Sequence, residues 1–134
     1  MGVVGLSPIG HPANWFGGWI LIGLAFVTGA TIGLFFHRDN FWGGYTSFRR
    51  RIVRLGHIAL AVLGMMNVIY GTAPWPVAGS ACGNAASIAL LVGGATMPIV
   101  CFLAGWRMEF RNLFFIPVVS LIGAVVCILL GGRS

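Results

Sequence analysis

The charged side chains of this chain are confined to two short stretches, and almost everything between them is apolar. Arg38, Asp39, Arg49, Arg50, Arg51 and Arg54 form the first stretch. Arg107, Glu109 and Arg111 form the second, and only Arg133 falls outside both. A domain in water spreads charge over its surface, at roughly a quarter of its residues. Here the charged share is 7% and the hydrophobic share 58%. Such a chain cannot coat a water-facing surface, so its solvent is a lipid bilayer. The net charge of +6 does not indicate nucleic acid, because the arginines gather at the ends of apolar runs instead of on a folded polar face. A chain of 134 residues reads as one domain.

The apolar runs are 15–36, 52–70, 81–105 and 113–130. Each is close to the ~20 residues that a helix needs to cross ~30 Å of hydrocarbon. Helix is the state expected, because an isolated strand leaves backbone groups unpaired in lipid. The fold class predicted is an all-α integral membrane protein, four transmembrane helices in an up-down bundle. The connections 38–51 and 106–112 carry the charge, whereas the connection 71–80 carries none. The positive-inside rule then puts the two charged loops in the cytoplasm and both termini on the outer side of an inner, cytoplasmic membrane of bacterial type.

Local punctuation agrees with this layout. The first fourteen residues have no Lys or Arg, so they lack the basic start of a signal peptide. Pro8 and Pro12 make them an extended outer segment, with His11 in solvent. Trp15, Trp19 and Trp75 fall at the outer interface, Trp42 and Trp106 at the inner one. Asn14 or Pro12 starts the first helix, and Thr46 or Ser47 caps a second helix that begins among the arginines. Pro98 predicts a kink in the third span, while Pro117 sits where a helix start tolerates it. Cys82, Cys101 and Cys127 form no metal-binding spacing. A Cys82–Cys127 disulfide is conceivable at the outer face. Gly29-Ala30-Thr31 returns as Gly94-Ala95-Thr96, a faint echo compatible with a duplicated helical hairpin.

Small residues recur at helical spacing. Gly18, Ala25, Gly29, Gly33 and His37 follow one stripe of the first span. Arg50, Arg54, His57, Ala61, Gly64 and Gly71 follow one face of the second, and Ala86, Gly93, Met97, Cys101 and Ala104 one face of the third. Such stripes let helix backbones approach closely in lipid. Close packing alone accounts for them.

A second reading starts from the histidines, since ionisable groups within a membrane are costly and mark functional sites. Neutral imidazole is an axial ligand for haem iron, and small residues beside it leave room for a flat ring. This makes His57 and His37 candidate ligands of a b-type haem, with Arg38, Arg50 and Arg54 as partners for its propionates. The pair differs in depth by about 7 Å if the second helix begins at Ile52. The plainer alternatives are a solvated His37 and a His57 bonded to Ser120 or Thr96. Asn67 reads as interhelical glue, and Met65, Met66 and Met97 as packing, with Met97 also a soft-ligand candidate.

The two carboxylates, Asp39 and Glu109, lie in loops. A proton-coupled carrier places one within its spans, and acid–base catalysis uses a pair. No catalytic motif of hydrolases, zinc proteases or nucleotide-binding loops occurs. The chain is therefore not expected to be an enzyme by itself. The leading expectation is a small integral subunit of an electron-transfer complex, partnered by lipid and by other membrane subunits or copies of itself. The alternatives are a small oligomeric channel or transporter, and a purely structural assembly subunit.

Overall fold

The computed structural model describes residues 10–72 and 80–132. Four long helices dominate: α1 (Pro12–Phe35), α2 (Phe48–Thr72), α3 (Ala81–Trp106) and α4 (Phe115–Gly131). Two 3-10 segments lie between them, Phe41–Gly43 and Met108–Phe114. All four spans are long and apolar enough to cross a membrane. The fold is an all-α, multi-pass four-helix bundle. Trp75, most of the predicted outer loop and the first nine residues lie outside the described residues.

Local chemistry sets the helix ends. α1 starts at Pro12, whose fixed φ and missing N–H suit a first turn. The backbone N–H of Arg50 donates to Ser47 Oγ at 3.3 Å, so α2 does begin inside the arginine cluster. Ser80 caps α3 by accepting from Gly83 N–H at 3.0 Å. Pro98 lies buried inside α3, which continues through it. The predicted loop 106–112 is instead mostly the 3-10 segment, and it feeds directly into α4.

Helices α2 and α3 form the centre, and α1 and α4 flank them. The contact between α1 and α2 keeps one register over its whole length. A Cβ on Gly71 would meet the Trp15 backbone at 2.6 Å, one on Gly64 would meet Ile22 Cγ1 at 2.9 Å, and one on Gly29 would meet His57 Cε1 at 2.9 Å. Arg50 Nη1 donates to Phe36 O at 3.3 Å. Trp15, Ile22, Gly29 and Phe36 thus face Gly71, Gly64, His57 and Arg50, a heptad apart at each step. Heptad spacing drifts only ~20° per repeat on a straight helix, so it keeps one seam in contact. The predicted stripe through Gly33 to His37 advances by fours, and each such step overshoots a full turn by about 40°. A Cβ on Gly33 accordingly meets nothing within 4 Å, and His37 is exposed.

Away from the arginines, a buried polar cluster ties three helices together. Asn14 Nδ2 donates to Asn67 Oδ1 at 2.8 Å and to Ser87 O at 3.2 Å. Ser87 Oγ donates back to Asn14 Oδ1. Asn67 Nδ2 donates to Leu63 O and Leu90 O. Asn14 and Asn67 are both fully buried. Satisfied amides in lipid hold helices in one arrangement because any other leaves them unpaired. Asn67 is the interhelical glue expected of it, and Asn14 is its partner. Met65 and Met66 do not pack in the core; both face outward.

His11 departs from expectation. It is buried at 7% exposure, not solvated. Its ring stacks on Tyr70 at 4.8 Å, and its backbone N–H donates to Gly71 O at 3.3 Å. α1 starts at Pro12, one of the two expected starts, and His11 just before it lies against the end of α2. The three cysteines are free thiols, so the conceivable Cys82–Cys127 bridge is not formed.

Candidate functional site

His57 occupies the middle of the α1–α2 seam, where Gly29 provides the space for it. Thr28 Oγ1 lies 2.9 Å from Leu24 O and 3.1 Å from Ala25 O. A carbonyl has no proton to give, so the hydroxyl is the donor in either bond to its own helix. The same oxygen is 3.1 Å from His57 Nδ1. When its single proton goes to those carbonyls, the hydroxyl accepts from Nδ1–H and the lone pair of the neutral ring is on Nε2; when the proton turns to the ring, the roles reverse. His57 bonds across to Thr28, and not to Ser120 or Thr96. Ser120 Oγ instead donates to Ala89 O at 2.8 Å, and Thr96 Oγ1 to Val92 O at 2.6 Å.

The imidazole lines a groove of about 480 Å3 between α1 and α2, together with Ala25, Gly29, Ala30, Ala61 and Met65. That volume falls in the roughly 300–1,000 Å3 range of small-molecule and cofactor pockets. The groove opens at the side of the bundle, so part of anything held there faces lipid or another protein. Among the described residues, Nε2 of His57 donates and accepts no hydrogen bond. The groove is otherwise apolar: four of its lining residues are Gly or Ala, and Ile22, Phe26 and Met65 complete it, so the His57 imidazole is its polar contact.

The remaining residues singled out from the sequence scatter. His37 lies beyond the end of α1, eight residues from the level of His57, which is about 12 Å along the helix axis at ~1.5 Å per residue. Two ligands of one iron have to meet it at one height, so the structure does not bring this pair together. Arg38 is exposed. Arg54 stacks its guanidinium over Tyr45 at 4.5 Å and Phe36 at 5.7 Å, one turn from His57 toward the charged end.

Arg50 has a different task. It is 1% exposed, and its guanidinium donates to backbone carbonyls after α1. Nε reaches Phe41 O at 2.6 Å, Nη1 reaches Phe36 O at 3.3 Å, and Nη2 bonds Arg38 O. Arg38 O and Phe41 O also accept from the backbone N–H groups of Phe41 and Gly44, and a cation suits the negative end of the α1 dipole. Arg50 therefore braces the turn that reverses the chain between α1 and α2. Its donors are used there and do not point into the His57 groove. Among the described residues no group of three or more His, Cys, Asp or Glu side chains is placed to hold a metal ion.

Sequence reasoning found His57, Gly29, Ala25 and Ala61. It missed Thr28, which no spacing singles out, because hydroxyls in membrane helices commonly bond only to their own backbone. No protein-family model, curated protein or solved structure matches the chain.

Proposed function

We propose that the chain is a small integral membrane subunit of an electron-transfer complex, and that His57 presents Nε2 to a b-type haem seated in the α1–α2 groove. The observation that carries this reading is the Thr28–His57 bond beside Gly29. It is compatible with the tautomer that leaves a lone pair on Nε2, beside a groove with four Gly or Ala residues in its lining. The haem supplies one-electron chemistry when bound. The chain's part would be to offer His57 as a ligand, with Ala25, Gly29, Ala30 and Ala61 lining the groove beside it. With His37 about 12 Å away in height, a second ligand would come from a partner subunit across the open side of the groove. Arg54 is the nearer candidate for a propionate, since Arg50 is already bonded to carbonyls.

Asp39 lies between spans and Glu109 at the very start of the fourth, so no carboxylate sits at mid-membrane depth, which sets this reading ahead of a proton-coupled carrier. The expected orientation leaves Cys82, a partly exposed free thiol, on the outer side of an inner membrane. A membrane-impermeant thiol reagent should label it in intact cells.

The test is a dithionite-reduced minus oxidised absorption spectrum of protein extracted with its partners in mild detergent. Soret and α-bands that disappear in His57→Ala, with the chain still expressed and co-purifying, are the expected result. A colourless wild-type complex, or bands that persist in His57→Ala, overturns the haem assignment.

A further inference from the structure

Three consecutive arginines open α2, and each meets a different environment. Arg50 is consumed by the carbonyls of the preceding turn. Arg51 is exposed. Arg49 lines a recess of about 400 Å3 with Trp42, Gly105 and Trp106. No hydrogen bond, ion pair or ring contact engages the Arg49 side chain among the described residues. The two carboxylates of the chain, Asp39 and Glu109, do not line the recess. A cation placed in a formed recess without an anion leaves its own charge to be matched from outside.

The walls indicate the depth at which that match occurs. Trp42 and Trp106 are 42% and 74% exposed, and indole rings favour the headgroup level of a bilayer. The recess has a closed floor where α2 and α3 touch. A Cβ on Gly105 would meet Val53 Cγ2 at 2.8 Å and Ile52 Cγ2 at 3.3 Å. Trp42 reaches its place through a left-handed backbone, with φ 52 and ψ 42. It is followed by Gly43 and Gly44 at φ 84 and 88. A bulky residue in that region is strained, and such strain gathers at ligand clamps. The same end of the bundle carries seven of the eight arginines, so an anion gains from the wider field as well.

We infer that this recess binds the phosphate of an anionic membrane lipid. Arg49 pairs with the phosphate oxygens through its planar donors, while Trp42 and Trp106 flank the headgroup. The site is independent of the His57 groove, which lies between α1 and α2 nearer the middle of the bundle.

The experiment is native mass spectrometry of the full chain released from nanodiscs containing phosphatidylglycerol, phosphatidylcholine or both. Wild type should retain phosphatidylglycerol in preference to phosphatidylcholine. Arg49→Gln should weaken that retention about fivefold, the effect of removing one cation near an anionic surface. Arg51→Gln removes the same charge from a position outside the recess and should change retention by less than about twofold. Arg49→Lys, which keeps the charge, should recover part of the binding, and circular dichroism should show unchanged helix content throughout. Equal losses in Arg49→Gln and Arg51→Gln would reduce the effect to diffuse attraction and overturn the proposal. Displacement of the lipid by soluble glycerol phosphate at equal concentration would overturn the lipid as the source of the phosphate.

Discussion

The two ends of the bundle are built on opposite principles. At the end holding His11, Asn14, Asn67 and Tyr70, these four polar side chains are buried, and among the described residues all but His11 Nε2 are paired. At the other end the polar groups are many, and most are exposed. Only Arg50 there is both charged and fully buried, and it is bonded to backbone carbonyls. In hydrocarbon an unpaired donor is costly, so a pairing that uses every amide specifies one packing. At a charged interface water and headgroups compete for every donor, so the cations there are free to bind external groups. The first end fixes how the helices sit, and the second leaves most of its cations exposed. His57 lies between the two, one heptad from Arg50 along the seam with α1.

If this contrast is right, the largest losses come from the closed end. Gly18→Ala places a Cβ 2.6 Å from Gly64 O and 2.7 Å from Val68 N. These are backbone atoms that cannot swing aside, so α1 and α2 must separate. A loss of about 3 kcal/mol is expected in detergent-unfolding titrations. Gly23→Ala is the control, because a Cβ there meets nothing within 4 Å. It should gain up to about 1 kcal/mol from helix propensity. Equal effects of the two substitutions would dismiss the glycine seam.

Asn67→Ala comes next. It removes one of the two acceptors of Asn14 Nδ2 and the side-chain bonds that tie α2 to α1 and α3, and a loss of about 2 kcal/mol is expected by the same titration. Arg50→Gln should cost about 1.5 kcal/mol and act locally. Limited proteolysis after Arg38 should accelerate, while the mid-bundle amides keep their protection from hydrogen exchange. Uniform loss of protection would show that the arginine end is as integral to the packing as the asparagine end.

The smallest effect sharpens the one irregularity of the closed end. His11 Nε2 is buried without a hydrogen-bond partner among the described residues. His11→Phe keeps the stack on Tyr70 and removes that nitrogen, so stability should stay within about 0.5 kcal/mol or rise. A substantial loss would mean that the nitrogen is engaged in the membrane-bound protein.

Much of this architecture is legible in the sequence, for physical reasons. Hydropathy alone delimits the spans: 52–70 and 81–105 lie within α2 and α3, and 15–36 is displaced by only a few residues from α1. Asn67 and His57 are conspicuous because polar groups are rare in lipid. The division of labour among Arg49, Arg50 and Arg51 is not legible. It depends on how a turn containing a left-handed Trp42 returns the chain, and helical spacing says nothing about such a turn. The burial of His11 is likewise hidden, since its cover comes from Tyr70 and Gly71, some sixty residues away. The stripe ending in His37 misled because steps of four imitate a contact face for one or two turns and then rotate off it. Only the heptad pairing of Gly29 with His57 persists.

The central claim is that His57 Nε2 is a ligand held ready by Thr28 and Gly29. The most direct measurement is the reduced-minus-oxidised spectrum of the His57→Gly complex, with and without added imidazole, beside His37→Ala. The account predicts that the haem bands vanish in His57→Gly, return when imidazole fills the groove, and are unchanged in His37→Ala. Bands that survive His57→Gly, or that depend on His37 instead, would contradict it.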